Sequence, residues 1–147
     1  MTNRELVQAY ARASVEGDLQ ALARLRHPDW SVDWPQTRER VRGSDAFAAI
    51  VKSYPGGRPV TKLERVVGTE DRFTVSPSNT IVRIVGEGQA WWGEWIQTYP
   101  DGTTWHCLDL IELRDSAIYR ETVYWAPPLP APEWRARLVE AIKDEPT

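Results

Sequence analysis

The feature that constrains this chain most is a pair of long strand-like segments on either side of a turn. Residues 89–98 and 103–113 alternate as strands do and are rich in aromatic and branched side chains. Between them stands Tyr99-Pro100-Asp101-Gly102, a sequence typical of a tight turn. We therefore predict a long antiparallel hairpin. Further strands are predicted at residues 60–67, 72–75, 80–85 and 117–125.

The first third of the chain has the pattern of three helices. Thr2 and Glu5 have the spacing of a capping box, and the helix that they begin should end at Gly17. Asp18 can cap a second, shorter helix that ends at His27-Pro28, because a residue that precedes proline disfavours helical geometry. Ser44 can cap a third helix that ends at Pro55-Gly56-Gly57.

Three shorter predictions complete the secondary structure. Residues 30–34 alternate as a short strand that places Trp30, Val32 and Trp34 on one face, and residues 35–43 read as a loop. After the proline-rich residues 126–132, a C-terminal helix from Glu133 to about Lys143 would bury Trp134, Leu138 and Ile142.

Helices followed by a meander of long strands predict an α+β fold in a single domain, residues 1–147. A strongly curved, mostly antiparallel sheet that packs on three N-terminal helices encloses a space, and side chains on its concave face line that space. The net charge of −3 argues against nucleic-acid binding. One cysteine and no apolar run of about 18 residues predict a cytoplasmic protein without a membrane segment.

Asp109 is the most informative single residue, because it interrupts the apolar part of Thr-Trp-His-Cys-Leu-Asp-Leu-Ile-Glu-Leu-Arg-Asp, residues 104–115. Alternation places it on one strand face with Trp105, Cys107 and Ile111. If that face is concave, burial raises the pKa of the carboxyl group and favours its neutral form. The alternative is a structural acid that is hydrogen-bonded to a neighbour or exposed at a dimer face.

Glu94, Glu121 and His106 are the candidate bases on the strands. Either glutamate could remove a substrate proton if it points inward, whereas the ordinary alternative is a solvated residue or a cross-strand ion pair. His106 alternates with Leu108 and should face away from Asp109, so it becomes a base only if a bulge re-aims it.

Seven of the eight tryptophans fall between Trp30 and Trp125, more than one small core needs. We expect some of them to line a ligand pocket, and at least one of Trp91 and Trp92 to lie outside it, where an exposed indole suggests a dimer interface. The expected substrate-binding residues are Trp34, Trp92, Trp105, Cys107, Val123 and Trp125. Histidine and cysteine spacing predicts no metal site, and no cofactor is expected.

The sequence resembles the nuclear transport factor 2-like superfamily, the cone-shaped fold of SnoaL-type polyketide cyclases and ketosteroid isomerases. Residues 7–10 (VQAY), 16–19 (EGDL) and 42–44 (RGS) carry this resemblance, together with Trp34-Pro35, Leu108-Asp109 and Tyr124-Trp125. The resemblance implies a homodimer and a pocket for a small molecule. Because the superfamily includes enzymes, binding proteins and scaffolds, fold alone settles no function.

Compared residue by residue, the resemblance implies that Tyr10 and a protonated Asp109 hold a substrate oxygen, as in the isomerases, which are a standard example of an acid kept neutral at pH 7. The isomerases' general-base aspartate precedes the proline of the first strand, and Trp34 stands there instead. Ketosteroid isomerisation is therefore not expected. We predict either a cofactor-free enzyme of the isomerase, cyclase or lyase type, acting on a small apolar or aromatic substrate that bears an oxygen, or a non-catalytic ligand carrier.

Overall fold

The structure, a computed structural model, describes residues 1–68 and 88–142. The predicted strands at residues 72–75 and 80–85 lie outside the described residues.

Three helices form the N-terminal part, as predicted: α1 (Asn3–Glu16), α2 (Leu19–Leu25) and α3 (Ser44–Lys52). The Thr2–Glu5 capping box is present, and α1 ends at Gly17, whose φ of 68° is a left-handed conformation that suits glycine. Asp18 caps α2 by accepting a hydrogen bond from Ala21 N at 2.9 Å. The prediction for Ser44 is wrong in detail, because Gly43 occupies the cap position of α3 and Ser44 is its first helical residue.

Six strands form one sheet: β1 (Arg26–Trp34), β2 (Glu39–Arg42), β3 (Val60–Gly68), β4 (Ala90–Thr98), β5 (Thr104–Arg114) and β6 (Ala117–Ala126). Their order is β2-β1-β6-β5-β4-β3, and every neighbouring pair is antiparallel except β1 and β6, which are parallel. The predicted hairpin is β4–β5, and its turn is closed by a 2.9 Å hydrogen bond from Gly102 N to Tyr99 O.

One prediction at the edge of the sheet is accurate to two residues and another is wrong. α2 ends at Leu25, two residues before His27-Pro28, and β1 begins at Arg26, so His27-Pro28 itself belongs to a strand. Residues 39–42, expected in a loop, form β2, because their backbone pairs with β1 from Ser31 to Trp34. The side chains of β2 are mostly polar and give little strand signal.

The predicted C-terminal helix is also wrong over the described residues. Only a single 3₁₀ turn forms there, Glu133–Arg135. Trp134 and Leu138 are exposed, and Ile142 is fully exposed. The expected apolar face of this segment therefore has no core to pack against within the described chain.

The core lies between the helices and the concave face of the sheet. Val7, Tyr10, Trp30 and Ile118 are buried there. β6 carries a bulge between its pairings with Glu112 and Leu113, and this bulge changes which side chains point inward. The fold is thus the α+β arrangement that the sequence predicts, with a curved, open sheet around a hollow.

Candidate active site

A cavity of about 150 Å³ opens between the helices and the concave face of the sheet. A cavity of that size holds a molecule about as large as benzene. Most of its wall is apolar or aromatic, and a few polar side chains point into it. The residues that define its character are Tyr10, Arg26, Trp34, Phe47, Tyr54, Gln97, Cys107, Asp109, Glu121, Val123 and Trp125.

Glu121 is the centre of the polar end of the cavity. Its carboxylate is only 4% exposed, and its Oε2 accepts hydrogen bonds from the Tyr10 hydroxyl at 2.8 Å and from Trp30 Nε1 at 2.7 Å. The alternative that Glu121 is solvated or forms a cross-strand ion pair is therefore wrong. Glu121 instead faces inward with Val123 and Trp125, which follow it two and four residues later on β6.

Tyr119 does not share that face, although simple alternation places it there. The bulge in β6 turns Ile118 into the core, where it is fully buried, and leaves Tyr119 outside against the rings and cations of His27 and Arg114. An unbroken strand would bury Tyr119 in place of Ile118. The bulge therefore adjusts the register next to the residue that carries the buried carboxylate.

Arg26 provides the positive charge beside Glu121, and sequence reasoning missed it. Its Nε donates to the Tyr10 hydroxyl at 2.7 Å and its Nη1 to Ser44 Oγ at 3.4 Å. Its guanidinium lies 3.5 Å from the ring centre of Trp30 and 4.4 Å from that of Phe47, which are cation–π distances. A buried charge is tolerated here because hydrogen bonds and aromatic faces replace its lost hydration.

Tyr10 lies on the buried face of α1, and only 2% of its surface is exposed. Burial and the negative charge of Glu121 raise its pKa well above the ordinary value, so the hydroxyl keeps its proton. That proton is donated to Glu121, and the oxygen accepts from Arg26. Tyr10 therefore holds Glu121 in place, whereas the resemblance implied a direct contact with substrate oxygen.

Asp109 faces the cavity, as the alternation of β5 predicts, and is 6% exposed. Burial, then the negative charge of Glu121 and a hydrogen bond to it, raise the pKa of Asp109 well above its ordinary value, and Arg26 offsets this only in part. Asp109 therefore favours its neutral form, next to the carboxyl group of Glu121. Within the described parts of the chain, its Oδ1 is buried without a hydrogen-bond partner. A buried oxygen without a partner is costly, so a ligand atom is a natural partner for it.

The apolar end of the cavity is built by Trp34 and Trp125, whose rings meet edge to face at 5.6 Å between centres. Cys107 lies nearby, and burial raises the pKa of its thiol to about 12, so it remains a protonated, unreactive group. Gln97 accepts hydrogen bonds from both Trp125 and Cys107. Gln97 was also missed, although its strand parity with Trp95 would have placed it on the concave face.

Four of the expected site residues do not line the cavity. Trp92 and Glu94 lie on the other face of β4, opposite Leu110 and Leu108, and Glu94 pairs with Arg65 there. His106 is exposed, and β5 has no bulge that would turn it inward. Their positions correct the predicted substrate contact of Trp92 and the predicted base roles of Glu94 and His106. Trp105 is on the concave face but packs with Trp95 beyond the cavity wall.

Two further observations concern what the described residues could hold. None of their helices is long and apolar enough to cross a membrane. Over residues 1–68 and 88–142, histidine, cysteine, aspartate and glutamate side chains do not gather in groups of three or more that would suit a metal ion.

The chain is similar to a known domain family and to several solved structures. Residues 7–121 match the model of the SnoaL-like domain. A protein of unknown function from Burkholderia xenovorans LB400, described as NTF-2 like, is 27% identical, with 96% of this chain and 95% of that one covered and a TM-score of 0.73. The comparison with curated proteins gave no match.

Two more distant structures share the fold. A protein from Kribbella flavida DSM 17836, provisionally named a ketosteroid isomerase, is 21% identical over 97% of this chain and 91% of that one, with a TM-score of 0.72. A protein from Pseudomonas putida KT2440, provisionally named a polyketide cyclase, is 23% identical over 86% and 92%, with a TM-score of 0.60. At these identities the likeness supports the fold alone.

Proposed function

Because the chain belongs to the SnoaL-like domain family, whose fold is shared with proteins named as isomerases and cyclases, we propose that it is a cofactor-free enzyme that transfers protons on a small substrate. The substrate would be an apolar or aromatic molecule that bears an oxygen function and fits a cavity of about 150 Å³. The observation that carries this proposal is the pair of buried carboxyl groups, Asp109 and Glu121, at one end of that cavity.

The pair can act as acid and base in one step. Neutral Asp109 donates its proton to a substrate carbonyl oxygen, and the carboxylate of Glu121 takes a proton from the neighbouring carbon, so the substrate becomes an enol. For a carbonyl compound with a β,γ double bond this enol is a conjugated dienol, so return of the proton from Glu121 to the γ carbon, and of the oxygen's proton to Asp109, shifts the double bond and completes an isomerisation. Acid–base groups of this kind typically contribute about 10²- to 10⁴-fold in rate each.

The surrounding residues give the two carboxyl groups different environments. Tyr10 and Trp30 donate hydrogen bonds to Glu121, whereas Asp109 Oδ1 has no such donor within the described residues, and burial raises the pKa of Asp109 and favours its neutral form. Tyr10, Trp30 and Arg26 are therefore positioning residues in this proposal. Trp34 and Trp125 would contact the body of the substrate.

A ligand carrier is the second candidate, and one observation favours it. Glu121 Oε2 already accepts two hydrogen bonds, and Trp34 fills the position where the isomerases carry their base. If the other oxygen of Glu121 cannot reach a substrate carbon, the cavity binds its ligand without transforming it.

We also propose that the protein is a homodimer that associates through the outer face of the sheet. Leu108 and Tyr124 stand directly opposite each other on β5 and β6, Leu110 is next to them, and all three are partly exposed. An apolar patch on a sheet face is a common dimer surface, and a two-fold interface uses the same patch on both subunits.

Hydrogen–deuterium exchange on a carbonyl compound tests the enzyme proposal without knowledge of the natural substrate. Acetophenone in D2O is followed by proton NMR, and the enzyme should replace the methyl hydrogens next to the carbonyl with deuterium. We expect Glu121→Gln and Asp109→Asn each to lower the exchange rate by about 100-fold or more.

Glu94→Gln is the matched control, because it removes a glutamate of the same sheet that faces away from the cavity. It should leave the exchange rate unchanged. If acetophenone binds to the wild type, as shown by shifts of the Trp125 indole signal, but exchanges no faster than in buffer, the enzyme proposal is wrong and the carrier proposal stands.

A further inference from the structure

The end of the cavity opposite the acid pair has a polar group that the proposed chemistry does not use. Gln97 lies on β4 and points to the concave face with Trp95. Its Oε1 accepts from Trp125 Nε1 at 3.1 Å, from the Tyr99 hydroxyl at 3.1 Å and from Cys107 Sγ at 3.4 Å. This one amide oxygen thus accepts hydrogen bonds from three neighbouring side chains.

These contacts determine the orientation of the amide group. An indole N–H is only a donor, so the atom that it meets must be the carbonyl oxygen of Gln97. The amide nitrogen, Nε2, therefore points away from Trp125. Within the described parts of the chain no acceptor is hydrogen-bonded to Nε2, so its two N–H groups are available to a molecule in the cavity.

The register of the sheet separates this amide from the acid pair. Gly93 lies opposite Asp109, and Gln97 follows it four residues later on the same face of β4, about 13 Å along the strand. Both side chains line the same cavity of about 150 Å³, a volume that holds a single ring. A ring bound there would have one polar group of the protein near each end.

We propose that Gln97 Nε2 forms a second polar subsite that selects substrates with a hydrogen-bond acceptor on the side opposite their reactive carbonyl. This proposal rests on the proposed function, because it assumes that the carbonyl lies at Asp109 and Glu121. It specifies the substrate class further: a single-ring or similarly compact molecule with two oxygen or nitrogen functions at opposite ends. Gln97 is a specificity residue in this role and takes no part in proton transfer.

Acetophenone and 4-acetylpyridine form a matched pair of probes for this subsite. They have the same shape and the same acetyl group, but the pyridine nitrogen places an acceptor where acetophenone has a C–H. Wild-type protein should bind 4-acetylpyridine about 3- to 10-fold more tightly, the worth of one neutral hydrogen bond. Dissociation constants come from ¹⁵N NMR titrations, in which the side-chain amide signals of Gln97 should shift with 4-acetylpyridine alone.

Two variants separate the donor from the rest of the side chain. Gln97→Glu keeps an oxygen for Trp125 and Tyr99 but removes the N–H donors, so the preference should reverse. Gln97→Met has a similar length without polar atoms, so both probes should bind equally. Gln20→Glu, which introduces the same charge at an exposed position on α2, should retain the wild-type preference.

The outcomes distinguish this subsite from the proposed function. Equal wild-type affinities for the two probes, or a preference that survives in Gln97→Met, would overturn the subsite whatever the exchange assay shows. A preference that depends on Gln97 in a protein without deuterium exchange would support the subsite and contradict the enzyme proposal. Failure of the wild type to bind either probe would contradict both.

Discussion

The pH dependence of stability gives the sharpest thermodynamic test of the buried acid pair. The perturbation is Asp109→Asn, which replaces the acid by an amide of nearly the same shape that cannot release a proton. In the unfolded chain an aspartate ionises near pH 3.9. In the fold, burial and the charge of Glu121 raise the pKa of Asp109 well above that value.

The sign follows from these two pKa values. Below the unfolded value both states hold the proton, and Asp109 adds no pH dependence. Above it, and up to the folded value, the unfolded chain releases a proton that the folded chain keeps, so wild-type stability falls as pH rises. The slope is about 1.4 kcal/mol per pH unit for one proton. Between pH 5 and pH 6, Asp109→Asn should therefore become more stable relative to wild type, by up to about 1.4 kcal/mol.

Urea denaturation at both pH values, followed by tryptophan fluorescence, measures this difference. Asp101→Asn is the control, because Asp101 is exposed and hydrogen bonds from Thr103 lower its pKa. That residue is ionised in both states over this interval, so its variant should show no change. If the difference between wild type and Asp109→Asn is also constant from pH 5 to pH 6, Asp109 is ionised in the fold and the reasoning fails.

Three further predictions concern other parts of the structure. Tyr10→Phe removes two buried hydrogen bonds to charged groups and should lower the free energy of unfolding by about 3 kcal/mol or more, against about 1 kcal/mol for Tyr99→Phe, which loses one bond to an amide; equal losses in urea denaturation would contradict this account of Tyr10. Gly17→Ala should lower the free energy of unfolding by about 1–2 kcal/mol, because alanine disfavours the left-handed conformation that ends α1. An unchanged melting temperature in thermal denaturation would contradict this prediction. If the protein is the proposed dimer, Leu110→Lys should give a folded monomer in size-exclusion chromatography with light scattering, and a wild-type monomer would refute the proposed interface.

The parts of the fold that depend on local sequence were predictable. The capping box at Thr2, the turn that ends in Gly102 and the alternation of β5 each specify their structure within a few residues. The inward direction of Asp109 follows from that alternation. The same rule places Trp92 on the outer face, opposite the position expected for a substrate contact.

The parts that depend on distant partners were not predictable in this way. Arg26 is buried because Tyr10 and Trp30, from two other positions in the chain, replace its hydration. Residues 39–42 form a strand only because their backbone pairs with the edge of β1. The segment after Pro132 has helical periodicity, but a short helix without a packing partner is marginal in water.

Glu121 was predictable in its strand face but not in its burial. Its alternation with Val123 and Trp125 indicated the correct face, yet the rarity of buried glutamate favoured an exposed position. The donors that make burial tolerable, Tyr10 and Trp30, lie 111 and 91 residues away in sequence. These hydrogen bonds form only when α1, β1 and β6, which carry the three residues, pack together.

The most direct measurement of the central claim is the ionisation of Asp109 itself. Carbon-13 NMR of protein labelled at the aspartate carboxyl groups, with the Asp109 signal assigned by its absence in Asp109→Asn, follows each aspartate through a pH titration. At pH 6 the signal of Asp109 should still have the chemical shift of a protonated acid, while the exposed aspartates have ionised. A signal that titrates together with theirs, near pH 3.9, would contradict the acid–base pair on which the proposed chemistry depends.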